Sequence, residues 1–220
     1  MSQGGAPRVC ALCGTTARLE LSHIIPRFVS RALKVQDGPT RPLLCGGCED
    51  LFSGYESTFA RDLFHPLRGD SRLVAKYDKW LLKFCASVCW RVLEDALAEN
   101  PPAADTRWAA ERASCRETWR RFLAGKRPDA GDHPIHLLLA EQGGGIESFA
   151  SEVAVTGQEA FVYVRLGPVI LFGVIASTDS TPWRGTRVHL EGKIKPRETF
   201  VPARYRDYIV SRAKTEIPKT

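Results

Sequence analysis

The sequence lacks an apolar run long enough to cross a membrane or to serve as a secretory leader. Its first residues, MSQGGAPR, are small and polar, whereas a signal peptide needs an apolar segment there. The most apolar stretch, Trp80 to Leu93, is interrupted by Lys83 and Arg91 and falls short of the roughly 20 residues of a membrane helix. We therefore expect a cytoplasmic protein with no membrane partner, in a compartment that keeps thiols reduced.

Acidic side chains are outnumbered, and no internal repeat is visible. The chain has 31 Lys and Arg against 25 Asp and Glu, a net charge of +6. This balance is consistent with a polyanionic partner, but it is also common among proteins that never bind nucleic acid, because net charge governs association rather than fold.

The succession of predicted elements indicates an α+β protein in three regions. Residues 9–67 look like a small metal-organised module, 71–127 like a helical region, and 134–220 like an α+β region with a small, mainly antiparallel sheet and no recognisable motif. Apolar spacing predicts one helix from Ser71, as its cap, to Glu99, and another from about Asp105 to Leu123. Short β-branched and aromatic runs predict strands, with a hairpin turn at Leu166-Gly167-Pro168. The predicted strands are 136–140, 160–166, 169–176 and 186–190, and a last helix is predicted over 203–214.

Four of the seven cysteines form two CxxC pairs, and these carry the strongest chemical signal. Cys10, Cys13, Cys45 and Cys48 can supply four thiolates to one tetrahedral zinc ion. Glycines beside and within the pairs allow tight turns. The alternative is a coincidence of free thiols, which the paired spacing disfavours.

The other cysteines give no metal signal. Cys85 and Cys89 are four residues apart on the apolar side of a predicted helix, where cysteines more often belong to the core. Cys115 is also left out of the site. Within the module we predict strands at 17–21 and 42–44, a helix opened by Pro26-Arg27, and a helix from about Cys48 to Phe64.

Between the pairs lies Leu21-Ser22-His23-Ile24-Ile25-Pro26-Arg27, and the second pair sits in Leu43-Leu44-Cys45-Gly46-Gly47-Cys48-Glu49. Over residues 9–65 this order resembles the zinc-bearing branch of the HNH nucleases, in which a CxxC precedes a His-Ile-x-Pro motif and Leu-Leu-Cys-x-x-Cys leads into a helix. The resemblance implies a treble-clef, ββα-metal module.

The resemblance also implies roles for individual residues. His23 matches the general base, which takes a proton from the attacking water. A catalytic Mg²⁺ or Mn²⁺ ion would stabilise charge on the leaving oxygen, and Arg27 and Arg31 would hold flanking phosphates. Residues 1–48 carry six basic against two acidic side chains, which fits a phosphate backbone as partner.

The chain departs from this family pattern at three positions. Ser22 stands where many members have a metal-binding aspartate, Glu49 where an asparagine or histidine is expected, and Ser53 near the place of a final histidine. Glu49 or Glu56 could supply a carboxylate ligand instead. Glu49 could equally stabilise a helix N-terminus, and Glu56 could be a solvated helix residue. His23 itself could be a structural residue of the module.

These observations support a metal-dependent HNH-like endonuclease that hydrolyses nucleic acid, expected to be DNA. A second hypothesis is a catalytically inactive zinc module that binds nucleic acid or a protein partner, and a protein-interaction adaptor is a third. Arg112, Arg116 and Arg120 recur every four residues, which is typical of a strand-tracking basic stripe or of an ordinary solvated helix face.

Overall fold

Short hairpins and helices build the N-terminal part of the chain. The computed structural model describes residues 7–69, 75–101, 103, 107–139, 148–178, 183, 185–194 and 202–216. Its first elements are β1 (Arg8–Val9), β2 (Thr16–Ala17), β3 (Leu19–His23), α1 (Arg27–Leu33), β4 (Thr40–Cys45) and α2 (Gly46–Phe59). Helix α2 continues through a π-helical turn (Ala60–Phe64) into α3 (His65–Gly69).

The pairing of β3 with β4 sets the geometry of the module. The strands are antiparallel, with Leu19 opposite Cys45 and His23 opposite Thr40. His23 is four positions after Leu19, which is about 13 Å along a strand. The hairpin therefore carries Cys45, the first cysteine of the second pair, at one end and His23 at the other.

A long central helix, α4 (Lys79–Glu99), links the module to the rest of the chain. It packs against α2, against α5 (Arg107–Leu123) and against a four-stranded antiparallel sheet of strand order β6-β9-β8-β7. The strands are β6 (Ile135–Leu139), β7 (Phe149–Thr156), β8 (Glu159–Leu166) and β9 (Val169–Ala176). A separate two-stranded sheet pairs β5 (Ala75–Tyr77) with β10 (Gly192–Ile194).

The sheet is covered on both faces. One face joins a hydrophobic cluster that runs from Cys10 and Leu12 through α4 to Ile175. On the other face, helix α6 (Ala203–Glu216) places Tyr205 and Tyr208 against Phe161. Among the described residues, none of the helices combines the length and the apolar composition that a membrane span requires.

The α+β prediction is confirmed, with differences in the elements. The helix predicted from Ser71 begins at Lys79, where the side chain of Asp78 accepts a hydrogen bond from the Trp80 amide. Ser71 itself lies outside the described residues. Instead of a strand over 186–190 there is one isolated bridge between Arg187 and His136. Strands β1, β5, β7 and β10 were not predicted.

Candidate functional site

The four predicted ligand cysteines meet at one point. Their Sγ atoms all lie within 4.8 Å of one another, and those of Cys13 and Cys45 are 3.8 Å apart. Thiolates around one tetrahedral zinc ion are expected about 3.8 Å apart, since each Zn–S bond is about 2.3 Å. The donor set and its spacing fit, so the four cysteines can hold a metal ion such as zinc.

Backbone turns hold the cysteines in place. The amide of Cys10 donates to the carbonyl of Thr15, and the amide of Gly14 donates to the carbonyl of Cys10, both at 2.9 Å. Gly14 has a φ of +79°, which a residue with a side chain adopts only at a steric cost. On the other side, the Cys45 amide points at the Cys10 sulfur at 3.4 Å.

The thiols differ in acidity because their surroundings differ. Hydrogen bonds from the side chain and backbone of Thr15 lower the pKa of Cys13 to about 6. Burial raises the pKa of the Cys48 thiol, so that Cys48 becomes a good thiolate ligand only when a cation is present to offset the desolvation.

His23 lies at the opposite end of β3, and its ring is partly open to solvent. Its side chain is 27% exposed, and its Nε2 atom is 3.8 Å from Oδ2 of Asp37. Asp37 belongs to the loop between α1 and β4. The structure thus pairs the predicted base with a carboxylate that sequence analysis did not single out.

Two donors hold the Asp37 carboxylate. The hydroxyl of Ser30 donates to Oδ1, and Nε of Arg27 donates to Oδ2 at 3.0 Å. The Ser30 hydrogen bond, followed by the Arg27 contact, lowers the pKa of Asp37. Asp37 is therefore a carboxylate at neutral pH, facing the His23 ring.

The two candidate carboxylate ligands, Glu49 and Glu56, are engaged elsewhere. Glu49, in the first turn of α2, accepts a hydrogen bond from the hydroxyl of fully buried Ser22. Glu56 accepts a hydrogen bond from Nη2 of Arg91 at 2.7 Å. In the described part of the chain, the four cysteines are the only set of three or more ligand groups close enough to hold one ion.

Arg91 reaches His23 from the central helix. The residue is 1% exposed, and its Nη1 donates to the carbonyl oxygen of His23 at 2.7 Å. It therefore connects the backbone at His23 to α2, through Glu56, and to α4. The signal in the sequence was a single arginine within an apolar helical run, which indicates a buried charge with partners.

The predicted basic residues have different surroundings. Arg27 is half exposed while it pairs with Asp37, and Arg31 is exposed on α1. In the α5 stripe, Arg116 pairs with Glu94, and Arg120 pairs with Glu117 and donates to the Leu12 carbonyl at 2.9 Å. These contacts give two members of the stripe a role in packing α5 against its neighbours.

Comparison with protein-family models, curated proteins and solved structures yields no match for this chain.

Proposed function

We propose that this protein is an HNH-like nuclease in which a structural zinc ion, held by the four cysteines, braces the β3–β4 hairpin that presents His23. The observation that carries the proposal is the position of His23: a partly exposed imidazole at the end of that hairpin, beside the ionised carboxylate of Asp37. The treble-clef assignment of the module belongs to the same proposal. It is supported by the order of CxxC turn, hairpin and helix α2, which begins at the second cysteine pair.

Zinc held by the four cysteines would add folding free energy to the hairpin and the helix that they join. Metal analysis of the purified protein is expected to give one zinc ion per chain. Cys48→Ser should lose it, and Cys85→Ala should keep it, because Cys85 is buried in α4 away from the four sulfurs. Equal zinc in both variants would contradict the assignment.

In the proposed reaction, His23 takes a proton from a water molecule while the water oxygen forms a bond to phosphorus. The bond between phosphorus and the leaving oxygen breaks, and that oxygen takes a proton from solvent. General-base assistance of this kind contributes about 10²–10⁴-fold in rate. Arg27 and Arg31, both accessible on α1, would contact neighbouring phosphates.

The Mg²⁺ or Mn²⁺ ion implied by the resemblance is not matched by a complete set of ligands. Glu49 is hydrogen-bonded to Ser22, and Glu56 is hydrogen-bonded to Arg91. Among the described residues, His23 and these two carboxylates do not form a set of ligands close enough to hold one ion. The cleavage assay with Mn²⁺ present or omitted tests whether a second cation is required.

A second candidate function is binding without cleavage. The ion pair between Glu56 and the buried Arg91 favours it, since this carboxylate serves packing rather than metal coordination. In that case the zinc module would present Arg27 and Arg31 to nucleic acid or to an acidic protein surface, and His23 would be one of its contact residues.

The assay compares the wild type with His23→Ala on plasmid DNA, single-stranded DNA and RNA, with Mn²⁺ present or omitted. The matched control is His189→Ala, an exposed histidine in the C-terminal region. Cleavage by the wild type and the control but not by His23→Ala, at equal zinc content, supports the nuclease. Nucleic-acid binding without cleavage by any of the three proteins overturns it in favour of the second function.

A further inference from the structure

We propose that Asp37 is a positioning residue for His23, holding the imidazole with its proton on Nε2 so that Nδ1 is left as the base. This inference rests on the proposed function for its catalytic consequence. The positioning itself can be measured without any cleavage assay.

Hydrogen bonds from residues other than His23 hold the Asp37 carboxylate in position. Ser30, on the buried side of α1, donates to one oxygen, and Arg27, one turn earlier, donates to the other. The loop carrying Asp37 is tied to the end of β3, because the amide of Ile24 donates to the carbonyl of Pro39 at 3.0 Å. This hydrogen bond therefore fixes the position of the loop relative to the backbone of His23.

The loop is also packed from the other side. A Cβ atom placed on Gly38 would lie 3.3 Å from Cε2 of Phe149, the first residue of β7. Asp37 is thus followed by a residue in close contact with the sheet. A carboxylate on a loop held at Ser30, Pro39 and Gly38 can orient another side chain at little entropic cost.

The atoms facing each other determine the tautomer. Oδ1 of Asp37 accepts from Ser30, while Oδ2 accepts from Arg27 and faces Nε2 of His23 at 3.8 Å. A carboxylate offers only acceptors, so the favourable neutral ring is the one with hydrogen on Nε2. The proton taken from water then goes to Nδ1.

The separation of 3.8 Å exceeds a direct hydrogen bond. A small rotation of the ring brings Nε2 within hydrogen-bond distance, and catalytic hydrogen bonds commonly tighten when substrate binds. A purely structural Arg27–Asp37 pair is the competing explanation. The Arg27 side chain is 52% exposed, and exposed ion pairs contribute little to stability, which leaves the arrangement beside His23 unexplained.

The test uses full-length zinc-loaded protein with ¹⁵N-labelled histidine. Long-range ¹H–¹⁵N spectra at about pH 8, where histidine is ordinarily neutral, identify the tautomer of each ring, and His23→Gln assigns the His23 signals. We expect the Nε2–H form in the wild type and a mixture of tautomers in Asp37→Asn. The matched control is Glu20→Gln, which removes one exposed carboxylate from the same strand as His23. It should leave the tautomer unchanged.

Kinetics provide the second readout. In Asp37→Asn, kcat is expected to fall by about 10- to 100-fold, the loss seen when the partner that orients a metal-bound histidine is removed, while KM stays close to that of Glu20→Gln. Zinc content and circular dichroism show whether both variants are folded.

The outcomes separate the two proposals. An unchanged His23 tautomer in Asp37→Asn, or an unchanged kcat in an active enzyme, overturns the positioning role and leaves the nuclease standing. If the wild type cleaves nothing but the tautomer depends on Asp37, the proposed function fails and the positioning role holds.

Discussion

Arg91 is a buried residue of α4 that holds the backbone at His23 and the side chain of Glu56 through hydrogen bonds. Its guanidinium is buried, donates to the His23 carbonyl and to Glu56 at 2.7 Å each, and reaches the Ser87 carbonyl at 3.3 Å. Its carbon Cζ also lies 5.5 Å from the centre of the Phe52 ring. A charge desolvated to this degree is tolerated only while its partners remain.

Arg91→Met should therefore destabilise the protein by about 1–3 kcal/mol, because the His23 carbonyl loses its donor and Glu56, whose side chain is 19% exposed, loses its cation. Unfolding of the zinc-loaded protein in guanidinium chloride measures this loss of stability. The double variant Arg91→Met/Glu56→Gln should be less destabilised than the sum of the two single variants, because no unpaired charge remains. Strict additivity would show that the pair does not interact.

His136 predicts a pH dependence of stability. It is 4% exposed, its ring stacks on Trp183 with 4.1 Å between centroids, and its Nδ1 is 3.0 Å from the Thr186 hydroxyl. Burial, assisted by the charges of Arg187 and His189, lowers the pKa of His136 to about 3. The unfolded chain, with an ordinary value near 6.5, binds this proton first as the pH falls.

Stability should thus fall below pH 6.5, by about 1.4 kcal/mol between pH 7.5 and 5.5 from this residue alone. His136→Gln, which keeps a polar group for Thr186, should lack that part of the decline. His65→Gln, at an exposed position, should retain it. Unfolding free energies of the three proteins at the two pH values make the comparison, and equal slopes for all three would exclude a contribution from His136.

At the scale of elements, the sequence predicted correctly those features that depend on residues close together in the chain. The hairpin turn at Gly167 is confirmed, with Leu166 paired to Val169, because its sequence preferences act over a few residues. The predicted start of α4 was wrong, because the residues just before the helix form strand β5. That strand is defined by its pairing with β10, which lies more than a hundred residues later in the sequence. No periodicity within 71–79 contains that information.

The same distinction applies to the candidate site. The four cysteines and His23 were identified from short motifs, and the structure brings the cysteines together as predicted. Asp37 and Arg91 reach His23 from a loop and from a distant helix. Such contacts depend on the tertiary fold and leave only weak traces in the sequence, such as an arginine in an apolar run.

Two glycine substitutions test the packing of these elements. A Cβ on Gly173 in β9 would lie 2.5 Å from Cη2 of Trp119, whose indole is held by a 3.0 Å hydrogen bond to the His133 carbonyl. Gly173→Ala should destabilise by about 1–3 kcal/mol. Gly54 is exposed within α2 and has open space around it, so Gly54→Ala should stabilise by about 0.5–1 kcal/mol. Thermal unfolding midpoints that move in the same direction would contradict this packing.

At the scale of the whole molecule, the module that carries the four cysteines and the helical region share one core. Phe59 of α2 stacks on Phe84 of α4 with 3.7 Å between ring centroids, and Phe52 meets Trp90 edge to face. Polar contacts join the same surfaces, since Arg41 of β4 pairs with Asp95 and Glu99 of α4. The apolar cluster continues without a break from Cys10 to the sheet, so the regions distinguished in the sequence are coupled.

This coupling predicts that removal of the proposed zinc ion lowers protection against hydrogen exchange outside the module as well as within it. Hydrogen exchange of zinc-loaded and chelator-treated protein should show faster exchange not only in residues 9–67 but also in α4 around Trp90, because Phe52 of α2 packs edge to face against the Trp90 ring. Adding zinc back should restore protection in both segments. Cys85→Ala, which keeps the four ligands, should respond to the chelator as the wild type does, whereas Cys48→Ser should exchange fast without it. Faster exchange confined to the module, with α4 unaffected, would mean that the module folds and unfolds independently of the central helix.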